Sequence, residues 1–470
     1  MALVLYDTAS REKHPFTPIT PGAVGMYVCG PTVWDYAHIG NARPVVVFDV
    51  LYRYFREQDY TVTYVRNITD VDDKIIAAHE KAGEPMADLT ERFARIYAED
   101  MAALGALDPT VTPKATEHIP QMIAMIEKLV ASGHAYVADG HVLFDVTSMP
   151  NYGQLSHRNR DDMIAGARVE VAPYKKDPAD FVLWKPAGDH AGWNSPWGKG
   201  RPGWHIECSA MSETYLGETF DIHGGGLDLV FPHHENEIAQ SSCAHHGKVL
   251  ANYWMHNGFL TINREKMSKS LGNYTTVHEV LKHWPGEVVR YFMLSTHYRA
   301  PLNWTEEGLE QAKRSLDRLY LALQKLADVE ADEAYEPETV IAALEDDLNT
   351  PEAFAALHEL ARQANKAETD DEKSILKAKL LTGGSLLGIL QSSPEGWLKR
   401  ETNKVPVSSK IELQWDIESD EAEIDRLVAK RDAARKRRDF AEADNIRRQL
   451  ASKNIIVEDW SDGTTTWRRT

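Results

Sequence analysis

The chain has 470 residues, 43% hydrophobic and 26% charged, which excludes a mostly disordered or collagen-like protein. No apolar run approaches the roughly 18 residues of a membrane span. The start, MALVLYDTASREKH, lacks the basic head and long apolar stretch of a secretory leader, and three cysteines exclude a disulfide scaffold, so a cytoplasmic protein of roughly three domains is expected.

The net charge of −19 is unevenly spread: residues 328–347 hold nine acids and no Lys or Arg, whereas 430–438 hold six bases and one acid. A local basic patch of that kind can bind phosphates even on an acidic protein.

In chain order, AVGMYVC at 23–29 reads as an apolar strand punctuated by Gly30 and Pro31. Helical spacing of Val46, Val47, Val50, Leu51 and Tyr54 predicts a helix over 43–58. The β-branched run 61–69 predicts a strand, and 69–83 a helix capped by Thr and Asp and closed at Gly83. Strand, helix, strand, helix implies a parallel sheet. Residues 114–132 read as helix and HAYVADGHVLFDV as short strands. The stretch 173–203, with five prolines and five glycines, reads as loop within an insertion. The α/β pattern resumes near Trp204, with FDIHGGG at 220–226 and WMHNGFL at 254–260. Residues 306–400 are helical throughout. A charged helix over 420–452 and a small β-like end close the chain.

Two segments carry phosphate chemistry. His38-Ile39-Gly40-Asn41 follows the first strand, where a helix N-terminus offers unpaired N–H groups to an anion. Alone it is more often a capped turn with a surface histidine. Lys266-Met267-Ser268-Lys269-Ser270, followed by Leu271-Gly272-Asn273, is a cationic loop suited to polyphosphate, or a polar surface loop. A third set comprises Cys29, Cys208 in GRPGWHIECSAM, and His233 and Glu237 in PHHENEIAQ. The last two are spaced i, i+4 on one helix face. Their donors suit Zn²⁺, though each has an ordinary structural alternative and Cys29 is far from the rest.

Together the two segments resemble the signatures of class I aminoacyl-tRNA synthetases, with Asn41 where histidine is usual. VCGPTVWDYAHIGN, WHIECSAM, FDIHGGGLDLVFPHHENEIAQ and KMSKS resemble the cysteinyl-tRNA synthetases, and the likeness runs to the C-terminal TTTWRR. It implies a Rossmann-type parallel-sheet catalytic domain in two halves, 1–110 and 204–265, with a connective insertion at 111–203. It further implies a KMSKS and stem-contact segment at 266–305, a helical bundle at 306–400 and a small α+β anticodon-binding domain at 411–470.

The implied activity joins L-cysteine to ATP, with Mg²⁺ as counter-ion, and passes cysteine to tRNA(Cys); a monomer is expected. The resemblance assigns one zinc to Cys29, Cys208, His233 and Glu237, with the substrate thiolate bound directly, and leaves Cys243 a free thiol. Four protein ligands ordinarily close a zinc site, so binding of the substrate requires either a fifth ligand position or the loosening of one ligand, for which Glu237 is the candidate. His38, Gly40, Asn41, Lys266, Lys269 and the glycines Gly224, Gly225 and Gly226 are expected at ATP. Trp204, His223 and Asp228 either line the amino-acid pocket or fill the core. Arg435, Lys436, Arg437, Trp467 and Arg468 are expected at tRNA, with Trp467 a stacking surface for an anticodon base. Two rivals remain: a ligase that passes activated cysteine to an amino-sugar, and a zinc-stabilised nucleotide-binding module without turnover.

Overall fold

A computed structural model of the chain describes residues 2–158, 172–188, 190, 192–267, 273–400, 417–437, 439–452, 455–459 and 465–469. Strands are β1 Val4–Asp7, β2 Glu12–Pro15, β3 Ala23–Val28, β4 Thr61–Arg66, β5 Ala135–Ala138, β6 His141–Phe144, β7 Phe181–Pro186, β8 Gly200–Pro202, β9 Phe220–Gly226, β10 Ala251–Asn257, β11 Leu260–Ile262, β12 Glu265–Lys266, β13 Leu302–Trp304, β14 Ile455–Asp459 and β15 Thr465–Arg469.

The central sheet is parallel, in the order β10-β9-β3-β4. Parallel sheets are covered on both faces, which is why these strands are apolar almost throughout. Alternation along β3 sends Met26 and Val28 into one core and Tyr27 into the other. The first core is closed by α1, Ile39–Glu57, through Val46, Phe48, Val50 and Leu51. The second is closed by the helices Ile119–Ala131, Ile206–Leu216 and Glu235–Ala244. Because β3 sits between β9 and β4, the chain leaves the sheet in two directions at their carboxyl ends. The crevice opened there is where such sheets bind ligands.

Three expectations need correction. The helix predicted from 43 starts at Ile39, because His38 and Asn41 form a reciprocal cap that no apolar periodicity reveals. The stretch 173–203 holds β7 and β8, which extend the β5–β6 hairpin into an antiparallel sheet in the order β5-β6-β7-β8. Pro186 and Pro202 end these strands, and β8 lies at the sheet edge, where a missing N–H is tolerated. The third concerns the tail, where the single helix over 420–452 is two, Ile417–Lys436 and Phe440–Ser452. Asp439 Oδ1 accepts from the amide of Glu442 and starts the second.

A small mixed sheet, β12-β11-β13, projects from the end of β10 and carries Lys266. The bundle that follows comprises Glu306–Lys325, Glu338–Glu345, Thr350–Ala364, Asp370–Leu387 and Pro394–Lys399. Its core is continuous with that under α1. Among the described residues, no helix is long and apolar enough to cross a membrane.

Candidate active site and metal centre

Cys29 follows β3, Cys208 lies in the helix Ile206–Leu216, and His233 and Glu237 straddle the start of Glu235–Ala244. The fold gathers them at the carboxyl edge of the sheet, with their four ligand atoms all within 4.8 Å of one another. Cys29 Sγ lies 3.8 Å from Cys208 Sγ and 3.6 Å from Glu237 Oε1. His233 Nε2 is 3.0 Å from Glu237 Oε1, the contact that i, i+4 spacing predicts. Glu237 and His233 are 0% and 1% exposed, so the carboxylate is dry and held entirely by protein groups.

Burial works against ionisation of Glu237, but His223 and His233 outweigh it and hold the carboxyl at about 2. Burial likewise opposes charge on His233, yet Glu237 and Cys208 raise it to about 10. Between the sulfurs, the hydrogen bond from Cys29 and the neighbouring His233 favour thiolate at Cys208, while burial and Cys208 push the Cys29 thiol up. One thiolate and one carboxylate thus face one imidazolium. A divalent cation could replace the protons of Cys29 and His233 with no net change of charge. Two sulfurs, one imidazole and one carboxylate are a donor set that zinc accepts, so the residues fit the metal.

Sequence reading missed an outer ring of histidines. His234 Nε2 lies 3.3 Å from Cys29 Sγ, and its Nδ1 is 2.7 Å from His256 Nε2. His256 Nδ1 in turn reaches Thr8 Oγ1 at 2.8 Å. His205 Nδ1 is 3.0 Å from His233 Nδ1. Burial keeps His205, His234 and His256 neutral, the last at about 3. The available signal was strand register: His223 pairs with Trp254, and Gly225 with His256, on adjacent strands.

His223 belongs to the cluster: its Nε2 donates to Glu237 Oε2 over 2.8 Å and its ring stacks on Trp254. Its Nδ1 is buried without a partner among the described residues. Trp204 is 42% exposed and stacks on His233, ring centroids 4.4 Å apart, a wall at the cluster's open side. Asp228 is exposed beside Gly226 and apart from the donors. Glu237, gripped by two imidazoles, is poorly placed to be the ligand that loosens.

At the phosphate end, His38 Nδ1 accepts from the Asn41 amide, and Asn41 Oδ1 accepts from the His38 amide, both at 3.2 Å. Asn41 thus fixes the turn with its oxygen. The cap meets the chain beyond the cationic loop: the Ile39 amide donates to Thr275 O and the Val277 amide to Ala37 O. A Cβ on Gly40 would fall 3.5 Å from Met267, so the two segments touch. Lys266 is exposed at the end of β12; Lys269 lies outside the described residues. Two of the three glycines of β9 have a packing reason of their own. A Cβ on Gly224 would stand 2.2 Å from the Phe48 ring of α1, and one on Gly225 2.9 Å from the His234 ring. Side-chain packing excludes a methyl group at both positions.

In the tail, Arg435, Lys436 and Arg437 are exposed. Trp467 is not a stacking surface: it is 4% exposed among Ile424, Val428, Ile446, Leu450, Ile455 and Val457. Its Nε1 donates to Asp425 Oδ1 at 2.6 Å. A seven-residue core needed an aromatic centre, and neighbouring arginines in the sequence said nothing about which face the ring takes. The side chain of Arg468, and all of Trp460, lie outside the described residues.

A parallel sheet of this order, with the His38–Asn41 cap at its carboxyl edge, fits the catalytic architecture of class I aminoacyl-tRNA synthetases. Residues 15–314 match the tRNA synthetases class I (C) catalytic domain, 339–391 a DALR domain, and 421–468 the cysteinyl-tRNA ligase anticodon binding domain. The chain belongs to the cysteinyl-tRNA ligase family. It is 58% identical to the cysteine–tRNA ligase of Paramagnetospirillum magneticum, over the full length of both chains. It is 57% identical to that of Parvibaculum lavamentivorans, covering all of this chain and 98% of the relative. Among solved structures, methionyl-tRNA synthetase of Mycobacterium tuberculosis with methionyl-adenylate superposes with a TM-score of 0.55 at 15% identity, over 78% of this chain and 89% of that one. The likeness to that structure is one of fold.

Proposed function

We propose that this chain activates L-cysteine with ATP and transfers it to tRNA(Cys), using a zinc ion held by Cys29, Cys208, His233 and Glu237. The observation that carries the reading is the convergence of these four donors beside the phosphate segments, in a chain similar throughout its length to cysteine–tRNA ligases.

Cysteine and serine differ by one atom, and a plain pocket separates such near-isosteres by only about 10- to 200-fold. A bound zinc supplies a Lewis acid that a thiolate ligates far better than a hydroxyl does. Trp204, stacked on His233, closes one side of the pocket, and the neutral histidines 205, 234 and 256 add no competing charge around it.

The substrate carboxylate is already ionised, so its attack on the α-phosphate requires no general base. What remains is placement and charge. The capped start of α1 offers N–H groups to the phosphates, His38 is held in one orientation by its Nδ1 contact, and Lys266 and Lys269 meet the charge that grows on leaving pyrophosphate, with Mg²⁺ as counter-ion. The terminal ribose of tRNA then takes the cysteinyl group. We take the enzyme to be a cytoplasmic monomer.

Cysteine-dependent ATP–pyrophosphate exchange, followed by charging of tRNA(Cys), tests the reading. Exchange with cysteine at least a thousandfold above serine, and cysteine recovered on tRNA, is the expected result, beyond what a plain pocket reaches. Exchange without charging, but with transfer to an amino-sugar, would overturn the tRNA step. No exchange would leave only a nucleotide-binding module.

A further inference from the structure

Arg43 is 0% exposed and its guanidinium meets no carboxylate among the described residues. Burial alone lowers it, to about 10. Arg290, the other fully buried arginine, differs: it is paired with Asp49. A buried cation balanced only by backbone dipoles is costly, so the place where its hydrogen bonds go is informative. Nη1 donates to Gly258 O at 2.7 Å and Phe259 O at 3.1 Å. Nη2 donates to Ala300 O at 2.8 Å and His297 O at 3.4 Å.

Those carbonyls mark two entrances. Gly258 and Phe259 lead into β11 and hence to the hairpin that ends at Lys266. His297 and Ala300 lead into β13, the parallel neighbour of β11. The two entrances press together there: a Cβ on Gly258 would lie 2.6 Å from Ala300 O. Arg43 itself sits one turn beyond the His38–Asn41 cap. One planar fork thus pins the entrances to β11 and β13, two of the three strands of the small sheet, to the helix bearing the first phosphate segment. The far end of the connection is the backbone bridge between His38 and Thr276.

We propose that Arg43 is a positioning residue for cysteine activation, fixing the height of the Lys266 hairpin above the start of α1 so that both segments grip one set of phosphates. The proposal rests on the activation chemistry assigned above. A lysine keeps the charge but cannot fork across two strands.

The test is cysteine-dependent pyrophosphate exchange by the full-length Arg43→Lys protein, with Arg290→Lys as a control for burial. Misplacement on the order of 1 Å costs up to about 10²-fold in rate, so kcat should fall about 10- to 100-fold. The cysteine KM should stay within about twofold, because none of the donors that hold cysteine touches Arg43. Arg290→Lys should lose thermal stability while keeping kcat. Added guanidinium should restore part of the exchange rate of Arg43→Ala and none of that of an Arg290→Ala protein. If Arg43→Lys does not fold, Gly258→Ala carries the test. It spreads the same two strands without touching the charge, and should lower kcat at unchanged cysteine KM. The proposal is overturned if the variant at Arg43, or failing that at Gly258, keeps the wild-type kcat. It is equally overturned if kcat and cysteine KM change together, in step with melting temperature as for Arg290→Lys. Absence of exchange in the unmodified protein would instead remove the activation reading.

Discussion

Asn41 shows how a single side chain takes its role from a backbone that sequence spacing does not display. It stands where the first signature usually carries histidine, and its Oδ1 closes a reciprocal cap with His38. The proposed metal donors are the opposite case: residue type left each an ordinary structural alternative, the resemblance assigned them to zinc, and their convergence needed the sheet to bring Cys29 to residues some 180 to 210 positions later. Replacing Cys208 by serine should bring zinc well below one per chain by elemental analysis, whereas Cys243→Ser should leave it unchanged. A full complement of zinc in the Cys208→Ser protein would sink the ligand assignment. Gly224 offers a second residue-level test. Its missing Cβ makes room for the Phe48 ring, so Gly224→Ala should destabilise the fold by about 1–3 kcal/mol, the usual cost of overpacking. Adding Phe48→Leu should recover part of that loss in chemical denaturation. Additive losses would mean that the two positions do not share the space.

At the scale of elements, long periodic helices and apolar parallel strands were readable, and irregular connections were not. FVLW at 181–184 is a mostly buried run that proline and glycine density around it concealed, and Trp184 is fully buried in the core on the second face of the central sheet. The histidine of Thr350–Ala364 gives an element whose stability should depend on pH. His358 Nε2 lies 3.0 Å from Tyr291 Oη, tying that helix to Gly286–Leu294. Burial first, and then Arg318, lower His358 to about 4. The ordinary value is about 6.5, so between those values the unfolded chain binds the proton and the folded chain does not. The contribution is therefore complete above about pH 6.5 and is lost as pH falls toward 4. His358→Gln removes this titration, and its melting temperature should drop less between pH 7 and pH 5 than that of the unmodified protein. Burial lowers His205, His234 and His256 as well, so the quantity to compare is the difference between the two slopes. Equal slopes would show that folding leaves proton binding by His358 unchanged, against the lowering that burial predicts.

Across the whole molecule, charge and core divide the labour between the two ends. The catalytic sheet and the bundle share one continuous core, while the tail has its own small core around Trp467. The tail docks on the bundle's last helix, where Lys399 Nζ stands 5.5 Å from the centre of the Trp467 ring. Charge density located this basic module in the sequence, but it could not show that tryptophan is the hub rather than the contact. We therefore propose that RNA recognition falls to the exposed faces of the two helices, within the segment that matches an anticodon binding domain. Residues 426–453 carry ten bases and four acids in a chain of net −19, so phosphates are drawn there and repelled from most of the remaining surface. Of the exposed cations, Arg437 also pairs with Glu442 at 3.0 Å, which holds the break between the helices in shape. Reversing Arg435 and Lys436 to glutamate spares that pair and the core. The double variant should activate cysteine at the normal rate in pyrophosphate exchange. Its KM for tRNA should rise at least tenfold, and the dependence of log affinity on log salt should flatten by roughly 0.7–0.9 for each phosphate that is no longer neutralised. An unchanged salt slope with normal charging at low tRNA concentration would place the RNA on another face, whereas a loss of exchange would mean that the tail supports the catalytic fold rather than reading the anticodon end.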